Sequence, residues 1–399
     1  MATSGLVVRR RGIGVGPVRL YHIVICEVVA TAVLLSWALP APAPYIAGPL
    51  GLLVIVAVVF ISAGGRGNRY LLSLRRRKLR GGGEESADGA DAIAALSPGI
   101  RIVGVSERHV ECGVAFDGAG WFSGVALRHS DATEPAGLDV GTLRVVTEML
   151  NDPHSAVSGI QLVNQLIPTP SVEIDPASPC NRSYAELLGD DPVVGHQMTW
   201  LAVRLDIPHA ADSAVERGGG SLGARRAVSS MTTRLSKRLT DAGVRHRILG
   251  SDGLRFALTS SVSGEAVSAS IPRGVGERWD RWRLGVLAQV CFGVAGRVRE
   301  RDALRKLWLS MAVLSTSFAT ISTSFHPPGQ RERDGVWMRS ILRVAFDEDL
   351  NSGVPDQLAA AAAECGVRLW RCDGQQAAAT YASALTGGAF LRLRIIRPR

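Results

Sequence analysis

The sequence predicts a membrane protein: a two-helix transmembrane hairpin followed by a cytoplasmic α+β domain, in which helices cover a mixed sheet. Three observations predict this fold class. Two apolar segments, at about residues 21–39 and 46–63, lie close together near the start of the 399-residue chain. Basic residues flank the pair on its outer sides. After them, helix-like and strand-like segments interleave without the regular alternation of a parallel α/β sheet.

The two apolar segments each have the length of a membrane span. A helix of 18 or 19 residues crosses about 30 Å of hydrocarbon at about 1.5 Å per residue. Between the segments, alternate prolines at 40, 42 and 44 end the first helix and favour a tight hairpin. A secretory signal peptide with its cleavage site at residues 41–43 is the alternative, but Pro44 directly after that site disfavours cleavage.

Charge predicts the orientation of the hairpin. Residues 1–80 hold eleven Lys and Arg residues and one acid, Glu27. Because positive flanks stay on the cytoplasmic side, the chain is expected to be a multi-pass protein of the inner cell membrane with both termini in the cytoplasm. Glu27 either pairs within a helix bundle or reaches toward Arg19 or His22 near the headgroups. Four basic residues after the second span are expected to attract anionic lipids: Arg75, Arg76, Arg77 and Lys78.

The remainder of the chain is electrically balanced. Residues 81–399 hold 34 basic and 35 acidic residues. A nucleic-acid-binding domain carries its basic excess on the folded part, so no nucleic-acid partner is expected. We therefore predict three parts: the hairpin with its basic flanks over 1–80, a Gly-rich linker over 81–98, and the cytoplasmic domain over 99–399.

Within the third part, apolar periodicity and turn signals predict the secondary structure. The strongest signal is a hairpin of two strands around the turn Asp117-Gly-Ala-Gly120. We detect no internal repeat. The other predicted helices lie at 142–150, 210–216, 222–241 and 355–364, and the other strands at 159–167, 198–205, 284–294, 311–325 and 367–371.

No metal, cofactor or catalytic site is predicted. The six cysteines form no CxxC and the eight histidines form no ligand spacing. The acidic groups at 347–349 and 190–191 are of a type that holds a divalent cation, but both adjoin turn signals, which favours solvated acidic turns.

One glycine-rich segment satisfies two motifs at once. Gly218-x-Gly220-x-x-Gly223 fits a dinucleotide fingerprint, and Gly219-x-Ser221-x-Gly223 fits a nucleophile elbow. Both require a strand directly before the glycines, whereas residues 210–216 are predicted to be helical. We favour a helix–helix connection in which Ser221 caps the second helix. A phosphate bound at that helix N-terminus and serine catalysis are the alternatives.

Two tryptophans, Trp279 and Trp282, lie in the segment Glu277-Arg-Trp-Asp-Arg-Trp-Arg283. They predict either a protein-contact patch or core packing with the flanking arginines exposed, and the sequence does not decide between these.

These features, taken in order, resemble the EccE subunits of the actinobacterial type VII (ESX) secretion system. The resemblance covers nearly the whole chain. Besides the two-span start and the Trp-rich segment, it is carried by Phe116-Asp-Gly-Ala-Gly-Trp-Phe122, Thr199-Trp-Leu-Ala-Val-Arg204, Glu216-Arg-Gly-Gly-Gly-Ser-Leu-Gly-Ala-Arg-Arg226 and Leu369-Trp-Arg-Cys-Asp-Gly-Gln-Gln376, with Tyr381-Ala-Ser after it.

The resemblance implies a non-enzymatic subunit of a membrane secretion complex. Such a subunit assembles with EccB, EccC and EccD and stabilises the complex, with EccC as its ATPase. The chain has no Walker A motif, in agreement with this role. The alternative function is a membrane-tethered transferase or nucleotide-binding enzyme that uses the Gly218–Gly223 loop.

Overall fold

The structure is a computed structural model of the chain. It describes residues 14–15, 18–19, 93, 96–97, 99–107, 110–128, 135, 137–152, 155–168, 179–188, 194–264, 275–295, 301–327 and 336–388. The chain forms two compact units, Met1–Ser86 and Ala87–Arg399. In the first, the description covers two paired antiparallel strands, β1 (Gly14–Val15) and β2 (Val18–Arg19).

The predicted membrane topology is corrected by this structure. None of the helices in the described ranges combines the length and the apolar character that a membrane span requires. The longest of them, Gly220–Asp241, packs one face on the sheet and carries arginines on its opposite, outer face. The predicted spans at 21–39 and 46–63, Glu27 and the basic cluster Arg75–Lys78 lie outside the described residues. Within the described ranges the fold is a sheet covered by helices with no membrane-spanning helix among them, which corrects the predicted fold class and multi-pass localisation.

Twelve strands of the second unit form one sheet. The strands are β3 (Arg101–Glu107), β4 (Val110–Phe116), β5 (Gly120–Leu127), β6 (Gly159–Pro168), β7 (Val194–Asp206), β8 (His246–Ile248), β9 (Val275–Glu277), β10 (Trp282–Leu284), β11 (Leu287–Ala295), β12 (Phe318–His326), β13 (Trp337–Asp347) and β14 (Arg368–Arg371). The helices are α1 (Val140–Asn151), α2 (Pro179–Leu188), α3 (Ile207–Val215), α4 (Gly220–Asp241), α5 (Ser251–Ser263), α6 (Arg301–Ala312), α7 (Val354–Glu364) and α8 (Gln376–Ser383).

The strand order is β3-β4-β5-β7-β6-β12-β13-β11-β10-β9, with β8 also paired to β5 and β14 to β11. Every pairing among the described strands is antiparallel, which corrects the predicted mixed sheet. The physical reason lies in the connections. Helix α1 joins β5 to β6, which run in the same direction, but β7 is inserted between them, so that each strand has antiparallel neighbours.

The unit is an internal duplication. The first half runs β5-α1-β6-β7-α4-β8 with sheet order β8-β5-β7-β6, and the second runs β11-α6-β12-β13-α7-β14 with sheet order β14-β11-β13-β12. Each follows the β-α-β-β-α-β order of the ferredoxin-like unit. The halves meet at the antiparallel β6–β12 pair, and hairpin partners β3-β4 and β9-β10 extend the two outer ends. The expectation of no internal repeat was wrong.

Local details repeat between the halves. Helices α4 and α7 end in the same glycine cap, in Asp241-Ala-Gly-Val-Arg245 and Glu364-Cys-Gly-Val-Arg368. Gly243 and Gly366 have φ of 74° and 71°, and the following valine N–H in each case donates over 2.8 Å to a carbonyl five residues back. This is the Schellman motif, which requires a left-handed residue. In addition, Arg204 of β7 lies opposite Phe122, and Arg343 of β13 lies opposite Cys291.

Helices cover both faces of the sheet. On one face, α1 and α4 cover the first half and α6 and α7 the second, and their apolar residues form the two largest clusters of the core. On the opposite face, α5 and α8 pack on the first and second half respectively. Three layers result, with the sheet in the middle.

Several predicted boundaries change. The helix predictions at 142–150 and 222–241 fall within α1 and α4. The segment 284–294, predicted as one strand, spans β10, a turn and β11. The segment 311–325, predicted as a strand, begins in the last residues of α6 and becomes a strand only at Phe318, because Ser and Thr residues between them form a turn.

The carboxyl ends of α5 and α8 are buried against the sheet, where side chains from the strands hydrogen-bond their carbonyls. Arg343 donates to the Ser261 carbonyl and Gln289 to the Val262 carbonyl at 2.7 Å. Gln161 donates to the Ala382 and Ala384 carbonyls at the end of α8, at 2.8 and 2.9 Å, and Arg204 donates at 2.9 Å to the Thr386 carbonyl, just after that helix. Each helix end thus receives donors from the other half, and α5 also receives one from Gln165 of its own half, because the C-terminal carbonyls of a helix have no partner within it.

We predict unequal consequences for the two buried arginines. Arg204→Met leaves the buried Asp117 carboxylate without its cation and is expected to cost about 3–5 kcal/mol of unfolding free energy. Arg343→Met leaves no unpaired charge, because its acceptors are Gln289, Thr320 and a carbonyl, and is expected to cost about 1–3 kcal/mol, since the buried carbonyl loses its donor. Urea unfolding of both variants measures the difference, and equal losses would contradict it.

Candidate functional site

The glycine-rich segment joins two helices. Strand β7 ends at Asp206, and α3 occupies the chain before the glycines. Three successive glycines, Gly218, Gly219 and Gly220, have φ of 102°, 74° and 56°, a region that other residues rarely adopt. The strand that a dinucleotide fingerprint or a nucleophile elbow needs directly before the loop is therefore replaced by a helix.

Ser221 does not cap α4, contrary to expectation. The N-cap is Gly219, with φ 74° and ψ 168°, and no side chain accepts a hydrogen bond there. Ser221 is the second residue of the helix and is exposed, so that its hydroxyl lies past the cap position. Gly223 has a clear packing role, because a Cβ at this position would overlap the carbonyl of Ala214 where α3 crosses α4.

Substitutions should separate these roles. Ser221→Ala is expected to change the unfolding free energy by less than about 0.5 kcal/mol, as for other exposed positions. Gly219→Ala forces a residue with a Cβ into a strained backbone region and should cost about 1–3 kcal/mol. Gly223→Ala should also destabilise, by separating α3 from α4. Thermal unfolding measures all three, and a destabilised Ser221→Ala variant would restore a capping role.

A cavity of about 180 Å³ lies beside the first two turns of α4. Its floor is apolar and is formed by Val103, Val114, Phe116 and Trp121, the two rings lying 4.8 Å apart between centroids. Its polar lining comes from three further residues: Arg101, Ser221 and Arg225. Among the predicted site residues, the structure thus brings Ser221 into a cavity and leaves Gly219 and Gly220 in open space.

The two tryptophans of the Trp-rich segment have different environments. Trp282 of β10 is 1 % exposed and packs in the core beneath α5. Trp279, in the turn between β9 and β10, is 71 % exposed. Its carbonyl accepts a hydrogen bond from the Gly374 N–H at 2.6 Å. Trp282 therefore fits the core-packing alternative, and the exposed Trp279 fits the contact-patch alternative.

Three arginines near Trp279 in the sequence pair with one carboxylate. Glu348 accepts hydrogen bonds from Arg281 at 2.8 Å and Arg278 at 3.2 Å, and its second oxygen lies 3.2 Å from Arg283 Nε. Asp280 bonds Arg281 at 2.6 Å, which holds the pKa of Asp280 below its usual range and raises that of Arg281. We call Trp279 with Arg278, Arg281, Arg283 and Glu348 the Trp279 surface.

The most strongly coupled charges lie in the interior. Arg204 donates to both oxygens of Asp117, at 2.9 and 3.1 Å, and to Asp206 at 2.7 Å. The Tyr381 hydroxyl donates to Asp117 at 2.9 Å. Burial opposes ionisation of Asp117, but the charge and hydrogen bonds of Arg204 outweigh it and hold the pKa of this carboxyl below its usual range. Burial and the Asp117 charge raise the pKa of Tyr381.

This cluster is closed to a substrate. The side chains of Arg204 and Asp117 are 2 % and 3 % exposed, and Asp117 also accepts the N–H groups of Ala119 and Gly120 at 2.9 Å each. Its groups are thus occupied in joining the β4–β5 turn to β7 and α8. Sequence analysis did not identify it, because its members are up to 264 residues apart; the one available signal was an arginine inside an apolar strand.

The Asp117 interaction predicts a pH dependence. Because the folded-state pKa is lowered, the carboxylate stabilises the fold above the unfolded pKa, about 3.9, and this contribution disappears as pH falls through the folded-state pKa. The stability difference between the wild type and Asp117→Asn should be constant from pH 8 to 5 and should shrink below about pH 4. Urea unfolding across this range measures it; a difference independent of pH would contradict the assignment.

No metal centre is found in the described ranges, where no three His, Cys, Asp or Glu side chains converge. Asp347 instead accepts the N–H of Asp349 at 2.9 Å within its own turn, and residues 190–191 lie outside the description.

Comparison with known families gives one match. Residues 193–294 match a family model described as "Putative type VII ESX secretion system translocon, EccE". The matched segment includes Arg204, the glycine-rich segment and Trp279. No curated protein matches the chain. The match confirms the resemblance over these residues and supports a component of a type VII secretion translocon.

Proposed function

We propose that this EccE-family protein is a non-enzymatic subunit that stabilises a type VII secretion complex together with EccB-, EccC- and EccD-like subunits. The family match supports the role in secretion. The finer statements, on catalysis and on partners, rest on how the polar and aromatic residues are distributed between the interior and the surface.

The observation that carries the proposal is the Trp279 surface. Trp and Arg are the residues most enriched at the energetic centres of protein interfaces. Trp279 is 71 % exposed and lies within the segment that matches the family, and three arginines of the same segment pair with Glu348. A tryptophan has only two rotatable side-chain bonds and so loses little side-chain entropy on binding. We therefore assign the Trp279 surface to contact with a partner subunit.

The enzymatic alternative lacks a comparable observation. The Gly218–Gly223 loop follows a helix, and Ser221 forms no hydrogen bond with a histidine or carboxylate in the described residues. The charged cluster around Arg204 is buried and occupied by its own members. An anionic-lipid partner for Arg75–Lys78 stays a prediction, since those residues lie outside the description, and so does the expectation of no nucleic-acid partner.

A single substitution tests the proposal. Trp279→Ala is expected to reduce co-purification of the EccB-, EccC- and EccD-like subunits with the tagged full chain by about tenfold or more, as loss of a hot spot of about 2 kcal/mol does. Phe256→Ala is the matched control, because Phe256 is also an exposed aromatic residue within the matched segment. Both variants should keep the wild-type melting temperature.

The outcomes are distinct. If the wild-type chain does not co-purify with these subunits, the proposed function is wrong. If it does, but Trp279→Ala behaves like Phe256→Ala, the role in assembly stands and the Trp279 surface is not the contact.

A further inference from the structure

The cavity beside α4 is built by parts of the first half that the second half lacks. When the equivalent caps at Gly243 and Gly366 are aligned, the 11 residues of α7 correspond to the last 11 of the 22 residues of α4. The preceding turns of α4, which supply Ser221 and Arg225, have no counterpart. Strand β3 has seven residues, and its equivalent β9 has three. The long α4 and the long β3 are therefore specific to the first half, and both line the cavity.

The polar lining of the cavity is positively charged, with no counter-charge among the described residues that form it. Neither Arg101 nor Arg225 forms an ion pair with any residue in the described ranges. The floor between them is apolar, with the stacked Phe116 and Trp121 rings. A guanidinium binds a carboxylate or a phosphate through two parallel hydrogen bonds, and of these groups an unmodified protein segment presents the carboxylate. The cavity therefore fits a ligand that presents a carboxylate next to an apolar group.

The adjoining strand suggests how such a ligand is held. Strand β3 is the last strand at its end of the described sheet and pairs only with β4. Its outer edge offers N–H and C=O groups to a further strand. Arg101 and Val103 are two residues apart and share the face of the cavity, so alternate side chains of an added strand would point to that face as well. Addition of a strand is a general mode of peptide recognition.

We propose that the β3 edge and the cavity together bind an extended segment of a partner subunit in which an acidic residue and an apolar residue alternate. The acidic side chain pairs with Arg101 and Arg225, and the apolar side chain enters the cavity over Val103. This inference rests on the proposed function, since it names the chemistry of one partner of the complex.

Site-specific crosslinking tests the proposal in the assembled complex. A photoreactive benzoylphenylalanine replaces Ser221, which is exposed at the cavity, and in a second variant Val103, which lines its floor. Val313 is the control position, because it is exposed in the second half of the unit. Ser221 is expected to crosslink to one partner subunit, within two residues of an Asp or Glu, and Val313 is not expected to crosslink to that segment.

Charge reversal provides the decisive comparison. Arg101→Glu with Arg225→Glu should lower the Ser221 crosslink at least tenfold, whereas Arg226→Glu should leave it near the wild-type yield. Arg226 is the matched control, since it is exposed, adjacent to Arg225 and does not line the cavity.

The proposal is overturned by crosslinks to lipid, to a second copy, to another part of the same chain or to a partner segment without acids. Equal yields for the two charge-reversal variants, or no crosslink from either position in a complex that co-purifies intact, overturn it too while leaving the proposed function in place. Failure of the wild-type chain to co-purify removes both.

Discussion

The fold depends on one constraint, which is that two helices end in the interior of the protein. The last carbonyls of α5 and α8 have no partner within their helices and no access to water, and a buried carbonyl without a donor costs about 1–3 kcal/mol. Arg343, Gln161 and Gln289 of the sheet donate to these carbonyls, and Arg204 donates to a carbonyl just after α8, which explains why strands with otherwise apolar faces contain these long polar residues. The negative end of the α5 dipole also faces the Arg343 guanidinium, which favours both.

The buried arginines of the two halves differ in the charge of their hydrogen-bond acceptors. Arg204 has Asp117 and Asp206 as counter-charges, whereas Arg343 has neutral acceptors and a helix end. Burial accordingly lowers the pKa of Arg343 to about 10, so the group is still a cation at neutral pH. Each half has a buried arginine on the equivalent strand, at positions two residues apart in register, whereas only the first half has the carboxylates, the longer α4 and the longer β3. Structural charge and surface elaboration are therefore concentrated in the same half, and Arg204 and α4 lie within the region that matches the secretion family.

Local signals in the sequence predicted local structure well. The β4–β5 hairpin, α4 and the helix before the glycines followed from turn residues and apolar spacing. The antiparallel sheet and the duplication could not be predicted, because strand order depends on which strand inserts between two others, and the halves share only short matches such as Gly-Val-Arg after α4 and α7. The split between buried Trp282 and exposed Trp279 was likewise undecidable, since both adjoin arginines and only the turn at Trp279 separates them. The cluster around Asp117 joins residues from opposite ends of the domain.

The crossed helix ends have a consequence for the order of events during synthesis. The residues of the first half, up to Gly264, are synthesised first. The carbonyls that accept hydrogen bonds from Arg204 and Gln161, however, belong to residues 382–386. Until that late segment emerges, Gln161 in the centre of the sheet lacks these carbonyl acceptors, and Arg204 has only its carboxylate partners Asp117 and Asp206. The nascent first half is therefore an open intermediate, whose lifetime is set by translation of more than a hundred further residues. Slow codons or stalls in the second half extend its exposure to chaperones and proteases.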